Sequence, residues 1–179
     1  MKKTINLILN TKRLFDFSKM FLKLLLITLT LIFSISFNNV YAYQAKVIKI
    51  VDGDTFDVFS QNKTIRIRPI CADAPESYQT FEGIKIGKIA TQELSKLLPL
   101  NSIIDIVPHY KDGNGRTVAS VYIGDLNISH YLIQNGYAYA HKTFCKKQEI
   151  NMQIEAQKAK KGLWQYGDFT NPIFIKHPK

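Results

Sequence analysis

Little in this chain is set aside for soft-metal or redox chemistry: of 179 residues two are cysteine, and neither a CxxC nor an HExxH pattern occurs. That leaves no motif for a thiolate or histidine zinc site, or for a vicinal redox pair. No internal repeat and no low-complexity linker is present, so solenoids and tethered modules are not indicated. The apolar run at residues 24–37 covers fourteen positions, where a membrane span wants about 20. Acid is also scarce, with 14 Asp/Glu against 24 Lys/Arg and a net charge of +10.

What is present begins with an N-terminal targeting pattern. Basic residues up to Lys23 precede the apolar run, and Val40-Tyr41-Ala42 offers small residues where a signal peptidase cuts. Residues 1–42 therefore read as a signal peptide, with Tyr43 the first mature residue and export as a secreted or periplasmic protein. The alternative is an uncleaved membrane anchor over residues 20–37. Residues 1–42 hold six of the Lys/Arg and one of the acids, leaving 18 against 13, or +5, for residues 43–179. Such a field favours a polyanionic partner without proving one. In an oxidising compartment Cys71 and Cys145 are either a disulfide or two separate thiols; spacing does not decide.

Residues 43–60 read as strand, turn and strand, with Val47, Ile48, Ile50 and Val51 before Asp52-Gly53-Asp54, and Phe56 and Val58 after it. Gln61-Asn62-Lys63 turns the chain into a third strand, where Ile65 and Ile67 alternate with Arg66 and Arg68. Residues 77–84 lack periodicity. From Lys85, the residues Ile86, Ile89, Ala90, Leu94, Leu97 and Leu98 recur at helical spacing until Pro99. Residues 103–107 and 118–123 give two more strands around a glycine-rich turn. Asn127 is placed to cap a helix carrying Ile128, Tyr131 and Leu132 that stops at Gly136. Residues 137–141 look extended, and a last helix is predicted over 148–161. Trp164 is expected to seal the barrel against that helix. The predicted fold is α+β: a five-stranded Greek-key barrel of the OB type with three helices.

The chemistry gathers on Ile65-Arg66-Ile67-Arg68-Pro69-Ile70-Cys71-Ala72-Asp73-Ala74-Pro75-Glu76. If the second and third strands are neighbours, Asp54 and Asp73 reach the same sheet edge, where two carboxylates suit a hard divalent cation. Arg68 on the same strand, and Arg116 after the Gly113-Asn114-Gly115 turn, could add guanidinium forks for a phosphate. Each feature alone has a plainer reading, since Asp-Gly-Asp is commonly only a turn and sheet-edge arginines are commonly solvated.

Taken together, Val51-Asp52-Gly53-Asp54-Thr55, Arg68, Asp73-Ala74-Pro75-Glu76, Asp112 four residues before Arg116, Gln134-Asn135-Gly136-Tyr137-Ala138 and the closing Ala-Lys-Lys-Gly-Leu-Trp stretch resemble the staphylococcal nuclease (thermonuclease) family. The resemblance spans residues 43–166, leaving 167–179 as a tail. It implies calcium-dependent hydrolysis of phosphodiester bonds in DNA and RNA by a monomer with no obligate protein partner. By matched position, Asp54, Asp73 and the Ala74 carbonyl would bind Ca2+, Glu76 would act on the attacking water, and Arg68 and Arg116 would grip the phosphate. Asp52, Thr55 and Asp112 would brace these groups. Lys142 and Phe144 are candidate substrate contacts, with core packing the plainer reading of Phe144.

Departures from the family pattern are specific. Ala74 replaces a threonine, which matters little if only the carbonyl binds. Gly113 and Asn114 stand where the best-known member has lysine and tyrosine, which points to weaker terminal-nucleotide binding. Pro69 and Cys71 interrupt the third strand, so an edge or a bulge is expected there. Two other classes remain open: a nucleic-acid-binding OB module without activity, and an OB-type surface protein for peptide or glycan with a structural metal.

Overall fold

The structure, a computed structural model, describes residues 19–26, 28 and 42–169. The chain forms two compact units, Met1–Asn39 and Val40–Lys179. In the first, residues 19–26 are helical, and among the described residues no helix is long and apolar enough to cross a membrane. The expected signal segment otherwise lies outside the described residues.

The second unit is built on strands β1 (Tyr43–Ile50), β2 (Phe56–Ser60), β3 (Lys63–Pro69), β5 (Ile103–Lys111) and β6 (Thr117–Ile123). They hydrogen-bond in the order β3-β2-β1-β5-β6, and β3 returns to pair with β6 in parallel through Ile67, Arg68 and Pro69. That last pairing closes the sheet into an OB-type barrel and leaves no open edge among these five strands. Alternation turns Val47, Phe56, Val58, Ile67, Ile104, Ile106 and Val121 inward, all essentially without solvent contact.

The predicted meander and both later strands are observed, and helix α1 (Ile86–Leu97) falls where the apolar spacing puts it. Helix α2 (Ile128–Gln134) is capped by Asn127, whose side chain accepts from the His130 N–H at 3.1 Å. It ends at Gly136, whose φ is +74°. A Cβ there would lie 2.2 Å from the Lys161 carbonyl oxygen, so the position tolerates only glycine.

Some expectations needed correcting. Asp73 is not the end of the third strand: it lies on a separate two-residue strand, β4 (Ala72–Asp73), paired with β8 (Tyr139–Ala140). Likewise Asp54 precedes β2 rather than opening it. Helix α3 runs Lys147–Lys158 rather than to 161. It is closed by Lys160, with φ of +49°, and by bonds from Lys160 N to Gln157 O at 3.0 Å and Lys161 N to Ala156 O at 2.9 Å. This is a Schellman stop formed without glycine at the left-handed position.

The segment after α3 and the start of the tail are also ordered. Residues Gly162–Tyr166 form a 3-10 helix, and Phe169 is buried with its ring 4.2 Å from that of Trp164. The 3-10 helix packs against α1 and α3, so Trp164 does join the final helix to the core. Short strands β4, β8 and β7 (Leu126–Asn127) carried too few residues to show a period.

Pro69 is the last residue of β3, beyond the final β2 partner at Ile67, so its missing N–H breaks no bond to β2. Cys71, at φ +79°, is disulfide-bonded to Cys145 with a Cα separation of 4.9 Å. The link joins the start of β4 to the segment before α3.

Candidate active site

The turn between β1 and β2 and the turn after β4 converge because two glycines permit it. A Cβ on Gly53 would stand 2.7 Å from the Ala90 Cβ and 2.8 Å from that of Ala74. One on Gly87, in the first turn of α1, would stand 1.7 Å from the Glu76 carbonyl oxygen. The residues carrying Asp54, Ala74 and Glu76 are thereby pressed against α1.

Asp54 sits at the centre of the result. Its Oδ2 accepts from the Ala74 N–H at 2.7 Å, and its Oδ1 accepts from Thr55 Oγ1 at 3.0 Å and Arg68 Nη1 at 2.9 Å. Asp52 braces the turn by accepting from the Asp54 N–H at 3.0 Å. The second Arg68 amino group, Nη2, donates to Asp73 Oδ1, and Tyr139 donates its hydroxyl to Asp73 Oδ2. Both carboxylates are thus held in fixed orientations from several directions.

Three carboxylates, of Asp52, Asp54 and Asp73, act on the one guanidinium of Arg68. Burial pushes the Asp54 carboxyl up to about 7 against the pull of Arg68, with Asp52 and Asp73 adding to the rise. Burial and then Asp52 also raise Glu76, opposed by Arg68 and Arg116. Burial raises the Tyr139 phenol, reinforced by its bond to Asp73. An all-oxygen set short of positive charge fits a hard divalent cation. Among the described residues no three His, Cys, Asp or Glu side chains are grouped to hold a metal. What the site does offer is two carboxylates, of Asp54 and Asp73, brought together through their shared partner Arg68.

A cleft of about 620 Å³ opens over this cluster, lined by Arg68, Asp73, Glu76, Arg116, Tyr110 and Phe144 among others. On its far side the β5–β6 turn is tied by Asp112, whose Oδ1 accepts from the N–H groups of Asn114 (3.0 Å) and Arg116 (2.9 Å). Asp112 Oδ2 takes Arg116 Nε at 2.7 Å. Burial would raise the Asp112 carboxyl, but these bonds outweigh it and hold the group low. Among the described residues both Arg116 Nη groups are left without a protein partner. The Glu76 carboxylate likewise makes no hydrogen bond there, while its backbone is pinned by Gln79 Oε1, which accepts from the Glu76 N–H at 2.8 Å.

Of the sequence candidates, the structure brings Arg68, Asp73, Glu76, Asp112, Arg116 and Phe144 to one cleft, with Asp54, Asp52 and Thr55 directly behind. Phe144 is 48% exposed, not packed in the core. Lys142 does not line the cleft. Arg66 is elsewhere, paired with Asp57 at 2.8 Å. Sequence reasoning missed Tyr139, Tyr110 and His141. Tyr139 lay in a stretch read only as extended, and the signal that could have found it was the alternation of Tyr137, Tyr139 and His141 with Ala138 and Ala140, which sets Tyr139 directly opposite Asp73.

The family model described as staphylococcal nuclease homologue matches residues 65–166. A protein named micrococcal nuclease from Shigella flexneri is 33% identical over 142 residues, covering 73% of this chain and 78% of that protein. Uncharacterized endonucleases of Haemophilus influenzae (33% over 153 residues, 84% and 82%) and Escherichia coli O157:H7 (29% over 136 residues, 75% and 85%) are also similar. The chain belongs to the staphylococcal nuclease family.

Proposed function

We propose that this protein is an exported, calcium-dependent nuclease that hydrolyses phosphodiester bonds in DNA and RNA with little sequence specificity. The observation that carries the reading is the pairing, in one cleft, of an uncommitted carboxylate at Glu76 with an uncommitted guanidinium fork at Arg116. A proton acceptor and an anion clamp facing one space are what hydrolysis of a phosphodiester requires. The family membership supports the same reaction class.

Ca2+ would be held by Asp54, Asp73 and the Ala74 carbonyl and, when bound, would supply Lewis-acid polarisation of a phosphoryl oxygen. Glu76 accepts the proton of the attacking water; its carboxyl, raised by burial, is a better base than a solvated one. Arg116 donates both Nη groups to the phosphate oxygens as charge builds on them, and Asp112 keeps that fork aimed. Arg68 serves the same phosphate from the opposite wall, where its Nη groups now hold Asp54 and Asp73. Exposed Phe144 offers a ring face for a base. Sequence is not read, because these contacts address phosphate and ring faces.

Export is supported by the Cys71–Cys145 pairing, which suits an oxidising compartment. The purified protein should degrade single-stranded DNA with Ca2+ and stop with a chelator. Inactivity across calcium concentrations, with binding retained, would instead identify a non-catalytic nucleic-acid module.

A further inference from the structure

The cleft does not end at Phe144. A second depression of about 330 Å³ lies on the other side of that ring and shares Ile70, Cys71 and Phe144 with the first. Its remaining wall includes His109, Tyr122, His130 and Lys146. Its volume is at the small end of ligand sites, which run from about 300 to 1,000 Å³, and matches a single residue of a chain better than a whole substrate.

Local structure explains the two adjoining depressions. The β5–β6 ladder shifts register between Pro108 and Tyr110, a bulge centred on His109. Bulges re-aim successive side chains; here Tyr110 enters the first depression and His109 the second. Phe144 stands on the shared ridge, its ring centroid 6.1 Å from Tyr110 and 4.8 Å from His141. Cys145, next in sequence, fastens that ridge to Cys71.

The second depression offers ring faces and hydrogen-bond donors. Its acid, Glu149, is buried and already committed: Oε1 lies 3.0 Å from His130 Nε2, and Oε2 accepts from the Lys146 N–H at 2.9 Å. The Lys146 side chain is exposed and has no ion-pair partner among the described residues. Rings with an available ammonium, continuous with a cleft holding two arginines, suit the alternation of base and phosphate in a single strand.

We propose that this depression is a subsite for the nucleotide flanking the one at the scissile phosphate. In this arrangement the strand crosses Phe144, a base lies against Tyr122 and His109, and Lys146 meets the next phosphate. The proposal rests on the nuclease reading and adds a length requirement to it.

The test uses the protein with Glu76→Gln, to block turnover, titrated in Ca2+ against fluorescein-labelled thymidine dinucleotide and hexanucleotide by fluorescence anisotropy. The hexanucleotide should bind at least about tenfold more tightly. Lys146→Gln should cut that ratio severalfold and lower the salt dependence of hexanucleotide binding by about one phosphate contact. Adding Tyr122→Ala should bring the ratio close to one. Because Lys146 is exposed, its variant tests the site without disturbing packing. A ratio unchanged in both variants overturns the subsite and leaves the nuclease reading intact. Failure of both oligonucleotides to bind the parent protein overturns both.

Discussion

Arg68 and Arg116 line the same cleft, but they are held in opposite states. Arg68 is fixed by two acids through one bond from each terminal nitrogen, so only its remaining N–H groups are left for a phosphate. Arg116 is fixed through Nε and its own backbone N–H, which leaves its fork open. One arginine neutralises a buried acidic cluster; the other is aimed at something outside. The buried wall is organised around charge balance and the turn wall around presentation, and substitutions should separate those tasks.

The largest effect should come from the group facing both walls. Glu76→Gln should lower turnover about a thousandfold while the fold melts as before, since proton transfer to a placed base contributes about 10² to 10⁴. Normal cleavage by that variant would remove Glu76 from the mechanism.

Next, the arginines should part company. Arg68→Ala, measured by urea unfolding with a chelator present, should lose about 3 kcal/mol or more, because it leaves Asp54 and Asp73 buried without their counter-charge. Added Ca2+ should recover part of the loss by binding the folded state alone. Arg116→Ala should leave stability nearly unchanged and lower kcat by about 10² to 10³. Arg116→Lys should recover little, since an ammonium cannot reproduce the fork. Equal stability losses for Arg68→Ala and Arg116→Ala would dissolve the comparison.

Tyr139→Phe sharpens it further. Removing the hydroxyl that orients Asp73 should weaken Ca2+ binding about tenfold, read by calorimetry, because orienting partners of metal ligands contribute on that order. An unchanged affinity would make Tyr139 a packing residue only.

The smallest effect lies outside the cleft. Burial would raise Glu149, but its backbone and His130 bonds hold its carboxyl below the usual range. A depressed folded value means its stabilisation is present above the ordinary carboxylate range and fades as pH falls through the folded value. Glu149→Gln should therefore flatten the acid limb of the melting curve slightly, with wild-type and variant stabilities converging at the lowest pH.

The α1 spacing, the Asn127 cap, the Gly136 stop and the three-strand meander were legible in the chain because each is a local preference repeated over adjacent residues. The β4–β8 pair and the contact of Phe169 with Tyr139 were not, since those partners lie far along the chain, and the stop at Lys160 was not, since no glycine marks it. The same division runs through the site. Residue type and spacing pointed to Asp54, Arg68, Asp73 and Arg116 as a possible cation and phosphate site, and the family resemblance singled out that set and added Glu76 on the attacking water. Their neighbours Tyr139, Tyr110 and His141 came only from the closed barrel and the disulfide, which bring β3, β4, β5 and the segment before α3 to one cleft. Only tertiary structure decided that Cys71 meets Cys145, that Lys142 stays out of the cleft, and that one arginine is tied to two acids while the other keeps its fork open. Those outcomes depend on distances across the barrel, and a linear chain does not encode such distances in any local pattern.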